Sequence, residues 1–186
     1  MGSGYPMLVS AELGHERPDD FFFINRGIGG NKVTDLYLRV RPDIIHLKPD
    51  YMSVLVGIND VWAEYKRSDG VEAEKYHTIY SMLLEEVMAA LPEVRIMLLE
   101  PFALPGTDTG EHWDEFYEQV RLRAAKVRLL AETYGLVFVP LQDRFNEAME
   151  RAPSAHWLVD GVHPTPAGHR IIQMEWMRGF GELEKK

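Results

Sequence analysis

The stretch Tyr51-Met52-Ser53-Val54-Leu55-Val56-Gly57-Ile58-Asn59-Asp60 decides the fold. Residues 52–56 form a short continuous run rather than an alternating one, as expected of a strand covered on both faces. Three runs of the same kind stand at residues 21–25, 94–99 and 136–139. Segments of helical spacing lie between them. The clearest carries Tyr76, Ile79, Tyr80, Leu83, Val87, Met88 and Leu91 on one stripe and stops at Pro92. A second runs over residues 111–134, with Phe116, Val120, Ala124, Val127 and Ala131 inward and Gly135 placed to end it. A third begins at Thr165 as N-cap, with Pro166 at the first helical position. Strands alternating with helices specify an α/β fold: a three-layer α/β/α sandwich with a mostly parallel sheet, whose functional groups gather at the carboxyl ends of the strands. One feature is out of place. The chain opens with a helix over residues 5–14, its Leu8, Val9 and Leu13 apolar, before any strand occurs.

Length and composition bound the rest. A chain of 186 residues is one domain, residues 1–186, with no repeat or linker. With 46% hydrophobic and 26% charged residues it has the composition of a globular protein with a core. Its net charge of −9 repels phosphate backbones and anionic lipid surfaces, which argues against nucleic acid and membrane as partners. Zero Cys excludes disulfides, thiolate metal sites and Cys nucleophiles. No apolar run spans a bilayer and no signal peptide is visible, so the expected location is the cytoplasm.

Three blocks carry chemistry. Gly57-Ile58-Asn59-Asp60 follows a strand at the place where a sheet presents groups to a ligand. An Asn there is either a cap of the next segment or a neutral donor able to stabilise charge on a carbonyl oxygen. Asn25-Arg26-Gly27-Ile28-Gly29-Gly30-Asn31 is a glycine-rich turn into the helix holding Val33, Leu36 and Val40, and lacks the spacing of a dinucleotide loop. In Asp160-Gly161-Val162-His163-Pro164 the spacing of three lets the carboxylate reach the imidazole, fixing one ring nitrogen as donor and leaving the other as a general base. A salt-bridged surface His or half of a metal site would look the same. His112, His156 and His169 fall in no metal-ligand spacing with an acid, so no metal is expected. Trp62 and Trp157 stand beside these blocks, either as packing residues or as sugar-stacking platforms.

Taken together and in this order, Gly30, Gly57-x-Asn59-Asp60 and Asp160-x-x-His163-Pro resemble three of the sequence blocks of the SGNH (GDSL-type) hydrolase family, over essentially the whole chain. The flanking text, Asn25-Arg26-Gly27-Ile28-x-Gly30-Asn31, Val56-Gly57-Ile58-Asn59-Asp60-Val61-Trp62 and Val162-His163-Pro164-x-x-x-Gly168-His169, is most similar to the bacterial acetylxylan esterases that deacetylate xylo-oligosaccharides inside cells. The resemblance implies ester hydrolysis through an acyl-serine, with His163 as general base, Asp160 orienting it, and Gly30 (backbone N–H) with Asn59 (side-chain amide) in the oxyanion hole. It implies no cofactor, a small acylated partner such as an acetylated carbohydrate, and leaves a homo-oligomer open.

The family's nucleophile is the Ser of a Gly-Asp-Ser block after the first strand, and none of the six serines here (Ser3, Ser10, Ser53, Ser68, Ser81, Ser154) follows Gly-Asp. With the opening helix, this gives the expectation of a missing first strand and nucleophilic turn, which the resemblance implies to be about 25 to 35 residues with the strand in the middle of the sheet. Two rivals follow: a nucleophile-less relative that binds carbohydrate or a partner, and an esterase of the thioesterase or lysophospholipase kind, since a fold does not set the acyl or alcohol group.

Overall fold

The computed structural model describes residues 2–185. Its sheet has three parallel strands in the order of the chain, β1 (Tyr51–Leu55), β2 (Arg95–Leu99) and β3 (Val137–Val139). Tyr51 stands opposite Arg95 and Leu55 opposite Leu99, while Met97 faces Val137 and Leu99 faces Val139. Three of the four runs read from the sequence are therefore strands, within a residue of their expected starts.

Because side chains of a strand alternate between faces, the central strand serves two cores. On one face Met97 and Leu99 join Val137 and Val139 beneath four helices, α1 (Tyr5–Glu16), α7 (Gln142–Met149), α8 (Ser154–Trp157) and α9 (Pro166–Leu183). On the other, Ile96 and Leu98 join Met52 and Val54 beneath α2 (Val33–Leu38), α3 (Val40–Asp43), α5 (Ala73–Ala90) and α6 (Trp113–Tyr134). The remaining helix, α4 (Ile58–Arg67), begins just past the carboxyl end of β1. This is the expected three-layer α/β arrangement. The helix ends follow local rules: Gly135 stops α6 at φ 65°, and the Thr165 hydroxyl accepts the Gly168 N–H at the head of α9. The opening helix is present as expected, with Val9 and Leu13 buried. Among the described residues no helix is long and apolar enough to cross a membrane.

Two sequence expectations need correction. Residues 21–25 are not a strand. A strand exists only through hydrogen bonds to a neighbour, and among the described residues β1 pairs with β2 alone. Side-chain contacts hold this segment instead: the Phe21 ring lies 6.4 Å from that of Tyr51 and 5.6 Å from that of Phe180, while Phe22 is 90% exposed. In β1 Met52 and Val54 are buried on one face, while Tyr51 and Leu55 are half-buried against the other core. The helix expected to hold Val33, Leu36 and Val40 is broken in two at Arg39. A continuous helix would need the N–H of residue 42 for the Leu38 carbonyl, and Pro42 has none.

Candidate active site

The turn after α8 builds a carboxylate–imidazole pair. His163 Nδ1 lies 2.7 Å from Asp160 Oδ2, while Asp160 Oδ1 accepts the backbone N–H groups of Val162 at 2.9 Å and His163 at 2.8 Å. Burial alone would raise the Asp160 carboxyl, but the His163 and Val162 amides and the imidazole outweigh it and hold the group below the ordinary carboxylate range. The carboxylate therefore stays ionised and fixes Nδ1 as the donor, which leaves Nε2 as a base on an imidazole that is 67% exposed.

That turn is anchored by the loop following β2. The Leu104 N–H donates to the Gly161 carbonyl and the Asp108 N–H to the Asp160 carbonyl, each at 3.0 Å. Within the loop the buried Thr109 hydroxyl donates to the Leu104 carbonyl and accepts the Gly106 N–H, both at 2.8 Å. Gly161 has φ 99°, and a Cβ there would meet the Leu104 oxygen at 2.5 Å. Only glycine fits both constraints.

The second element is the start of α4. Gly57, at φ 130° and with Tyr76 Oη 3.0 Å from where a Cβ would stand, turns the chain sharply out of β1. This sets Asn59 and Asp60 in the first turn of the helix. Asn59 Nδ2 donates to the Asn31 carbonyl at 3.1 Å, which leaves a second N–H on the same amide. The glycine-rich turn is thus brought against Asn59. Gly30 stands in it at φ 84°, the Asn31 N–H closes on the Ile28 carbonyl, and Arg39 Nη1 holds the Arg26 carbonyl at 2.9 Å. Asp60 is fully buried and accepts the Val33 N–H at 3.1 Å. Burial pushes its carboxyl up to about 6, opposed by the Val33 amide and by the positive charges of Arg123 and Lys32.

A small apolar cluster joins the two halves. Val61 of α4, Ala103 of the loop after β2, Phe116 and Val120 of α6, and Val162 of the His163 turn pack together, with Ile58, Trp62 and Trp113 against them. Since β1 and β2 are parallel neighbours, everything here lies at the carboxyl edge of the sheet. Of the two tryptophans, Trp62 borders this cluster, with Lys66 and Arg67 over its ring. Trp157 is a core residue: it is 8% exposed, donates Nε1–H to the Ala152 carbonyl, and has Arg151 over its ring. It offers no open platform, because α9 and β3 side chains already share its cluster.

Among the described residues no serine hydroxyl is hydrogen-bonded to His163. Ser10 bonds the Met7 carbonyl within α1, Ser81 bonds Tyr134, and Ser154 bonds the Pro105 carbonyl. Nor is any group of three or more His, Asp and Glu side chains set as metal ligands among those residues. Sequence reasoning passed over Thr109, Gly106 and the buried role of Asp60. An acid directly after Asn59 in a strand-to-helix turn was a signal for the last; the loop residues carry none, since their role depends on a partner 50 residues away.

Residues 2–171 match the model of the GDSL-like lipase/acylhydrolase family. An acetylxylan esterase of Geobacillus stearothermophilus is 33% identical over 184 residues, which cover 97% of this chain and 82% of that protein. The crystal structure of an acetylxylan esterase from the same organism superposes with a TM-score of 0.87 at 31% identity, covering 97% of this chain and 82% of the other. An alpha/beta hydrolase from the metagenome of Lake Arreo, Spain, superposes with a TM-score of 0.86 at 28% identity, covering 98% and 83% respectively.

Proposed function

The chain belongs to the GDSL-like lipase/acylhydrolase family, and from that premise we propose that it is a carboxylic ester hydrolase acting on acetylated carbohydrates such as acetylated xylo-oligosaccharides. The observation that carries the reading is the Asp160–His163 pair, closed at 2.7 Å on the sheet edge and packed through Val162 against the helix whose first turn holds Asn59. The similarity to an acetylxylan esterase over 97% of this chain favours the acetyl-carbohydrate substrate.

The residues divide the chemistry as follows. A serine hydroxyl placed at His163 Nε2 gives up its proton as its oxygen attacks the acetyl carbonyl carbon. The second N–H of Asn59 and the Gly30 amide receive the resulting oxyanion. His163 returns the proton to the departing sugar oxygen, then takes one from a water whose oxygen attacks the acyl carbon, and hands it to the serine oxygen as the acyl–serine bond breaks and acetate leaves. Asp160 keeps its charge throughout and stabilises the imidazolium. Trp62, at the border of the same cluster, contacts the sugar.

Because the sequence has no Gly-Asp-Ser, the test supplies one. Residues 1–186 are joined to a strand ending in that motif and incubated with acetylated xylo-oligosaccharides, and acetate is measured. Release that His163→Ala abolishes is the expected result. Hydrolysis of thioesters or lysophospholipids in place of acetate release would overturn the carbohydrate assignment, and binding of the oligosaccharide with no ester hydrolysis would overturn the enzyme.

A further inference from the structure

Asn59 and Asp60 are adjacent, and their side chains reach the same segment: Asn59 donates to the Asn31 carbonyl and Asp60 accepts the Val33 N–H, each at 3.1 Å. The mechanism uses Asn59 and leaves Asp60 idle, although Asp60 is a fully buried carboxylate. We propose that Asp60 is the positioning residue of the oxyanion hole: by holding Val33 it clamps the turn that carries Gly30 and Asn31 against α4, and so fixes the direction of the Asn59 amide. The proposal rests on the reading of Asn59 and Gly30 as oxyanion donors.

Every element packed around Asp60 contributes a group. Lys32 and the Val33 N–H face it from the turn, Arg123 from α6, and Tyr76 and Tyr80 from α5. Arg123 is itself buried and spends its hydrogen bonds elsewhere, on the Val71 carbonyl at 2.5 Å and on Gln119. Among the described residues the Asp60 carboxylate has no ion-pair partner; its side-chain hydrogen bond to another element is the charge-assisted one to Val33, also within 3.3 Å of its second oxygen, while its backbone carbonyl accepts the Val71 N–H at 3.0 Å. A neutral Asn would cap the segment at lower desolvation cost, so a carboxylate here fits a demand for rigidity rather than stability. As it takes up a proton the bond loses its charge, and the loosening passes to Gly30 and Asn59 through the two-residue interval from Asn31 to Val33.

The test is an NMR titration of the protein from about pH 4 to about pH 8, spanning the ordinary and the raised carboxyl. It follows the Asp60 carboxyl carbon, the Gly30 and Val33 backbone amides and the Asn59 side-chain amide. The expected result is one midpoint shared by all four signals, unchanged in His163→Gln and absent from the three amides in Asp60→Asn. If Val33 alone follows the carboxyl, Asp60 is only a local cap and the proposal fails. It fails equally if Gly30 and Asn59 follow His163. No signal depends on turnover, so failure of the hydrolase reading is read separately, from acetate release.

Discussion

The backbone of Gly106 is pressed so closely on that of Asp160 that no Cβ fits between the Gly106 Cα and the Asp160 carbonyl. The pair is held there by the Asp108 and Leu104 amides, which donate to Asp160 and Gly161. His163, the proposed general base, is thus carried by a turn whose position is set from the loop after β2, and the adjoining backbone must move if that loop gains a single methyl group.

Gly106→Ala is accordingly expected to destabilise the protein by about 2 kcal/mol or more, through displaced backbone and broken hydrogen bonds. It should also loosen the His163–Asp160 contact. Denaturant unfolding checks the first effect, and the His163 Nδ1–H proton signal checks the second.

In the chain joined to a Gly-Asp-Ser strand, His163→Ala should lower acetyl-ester turnover on the order of 10⁴-fold or more. Asp160→Asn should lower it less, since the backbone amides of the turn still place the ring. Steady-state kinetics on an activated acetate ester measure both. Near-normal turnover in His163→Ala would make the pair structural.

Asn59→Ala removes a proposed oxyanion donor and should cost about 3 kcal/mol in the transition state, roughly a hundredfold in kcat, with KM little changed. A change confined to KM would count against the assignment.

The 186 residues by themselves should neither hydrolyse acetate esters at enzymatic rates nor take a fluorophosphonate label, because no serine follows Gly-Asp. Intact-mass spectrometry after labelling gives the answer. An adduct on Ser3 would place the nucleophile there instead.

Asp60 makes stability depend on pH in a stated direction. Its carboxyl is raised to about 6 in the fold from 3.8, so its favourable contribution is full below the unfolded value and is lost as pH rises through the folded one. Two units correspond to roughly 3 kcal/mol. Asp60→Asn carries no such penalty, and its melting temperature relative to the unsubstituted protein should rise between about pH 4 and about pH 8. A difference independent of pH would show that the carboxyl is not shifted.

What the sequence determined by itself is what local chemistry can specify. The apolar runs mark where strands can form, and the end of α6 at Gly135 and the Thr165 cap of α9 follow from a left-handed turn and a side-chain acceptor, neither of which needs a distant partner. The Asp160–His163 contact belongs here too, because a spacing of three closes within one turn. Only the tertiary structure decided the rest. Residues 21–25 have the apolar character of a strand yet, among the described residues, no strand beside them to pair with, and Trp157 became core because α9 and β3 cover it. Asn59 comes to the His163 turn only through the packing of Val61, Ala103 and Val162, three residues from three separate parts of the chain. Apolar character tells a segment that it must be buried, but its partner is chosen by the whole fold.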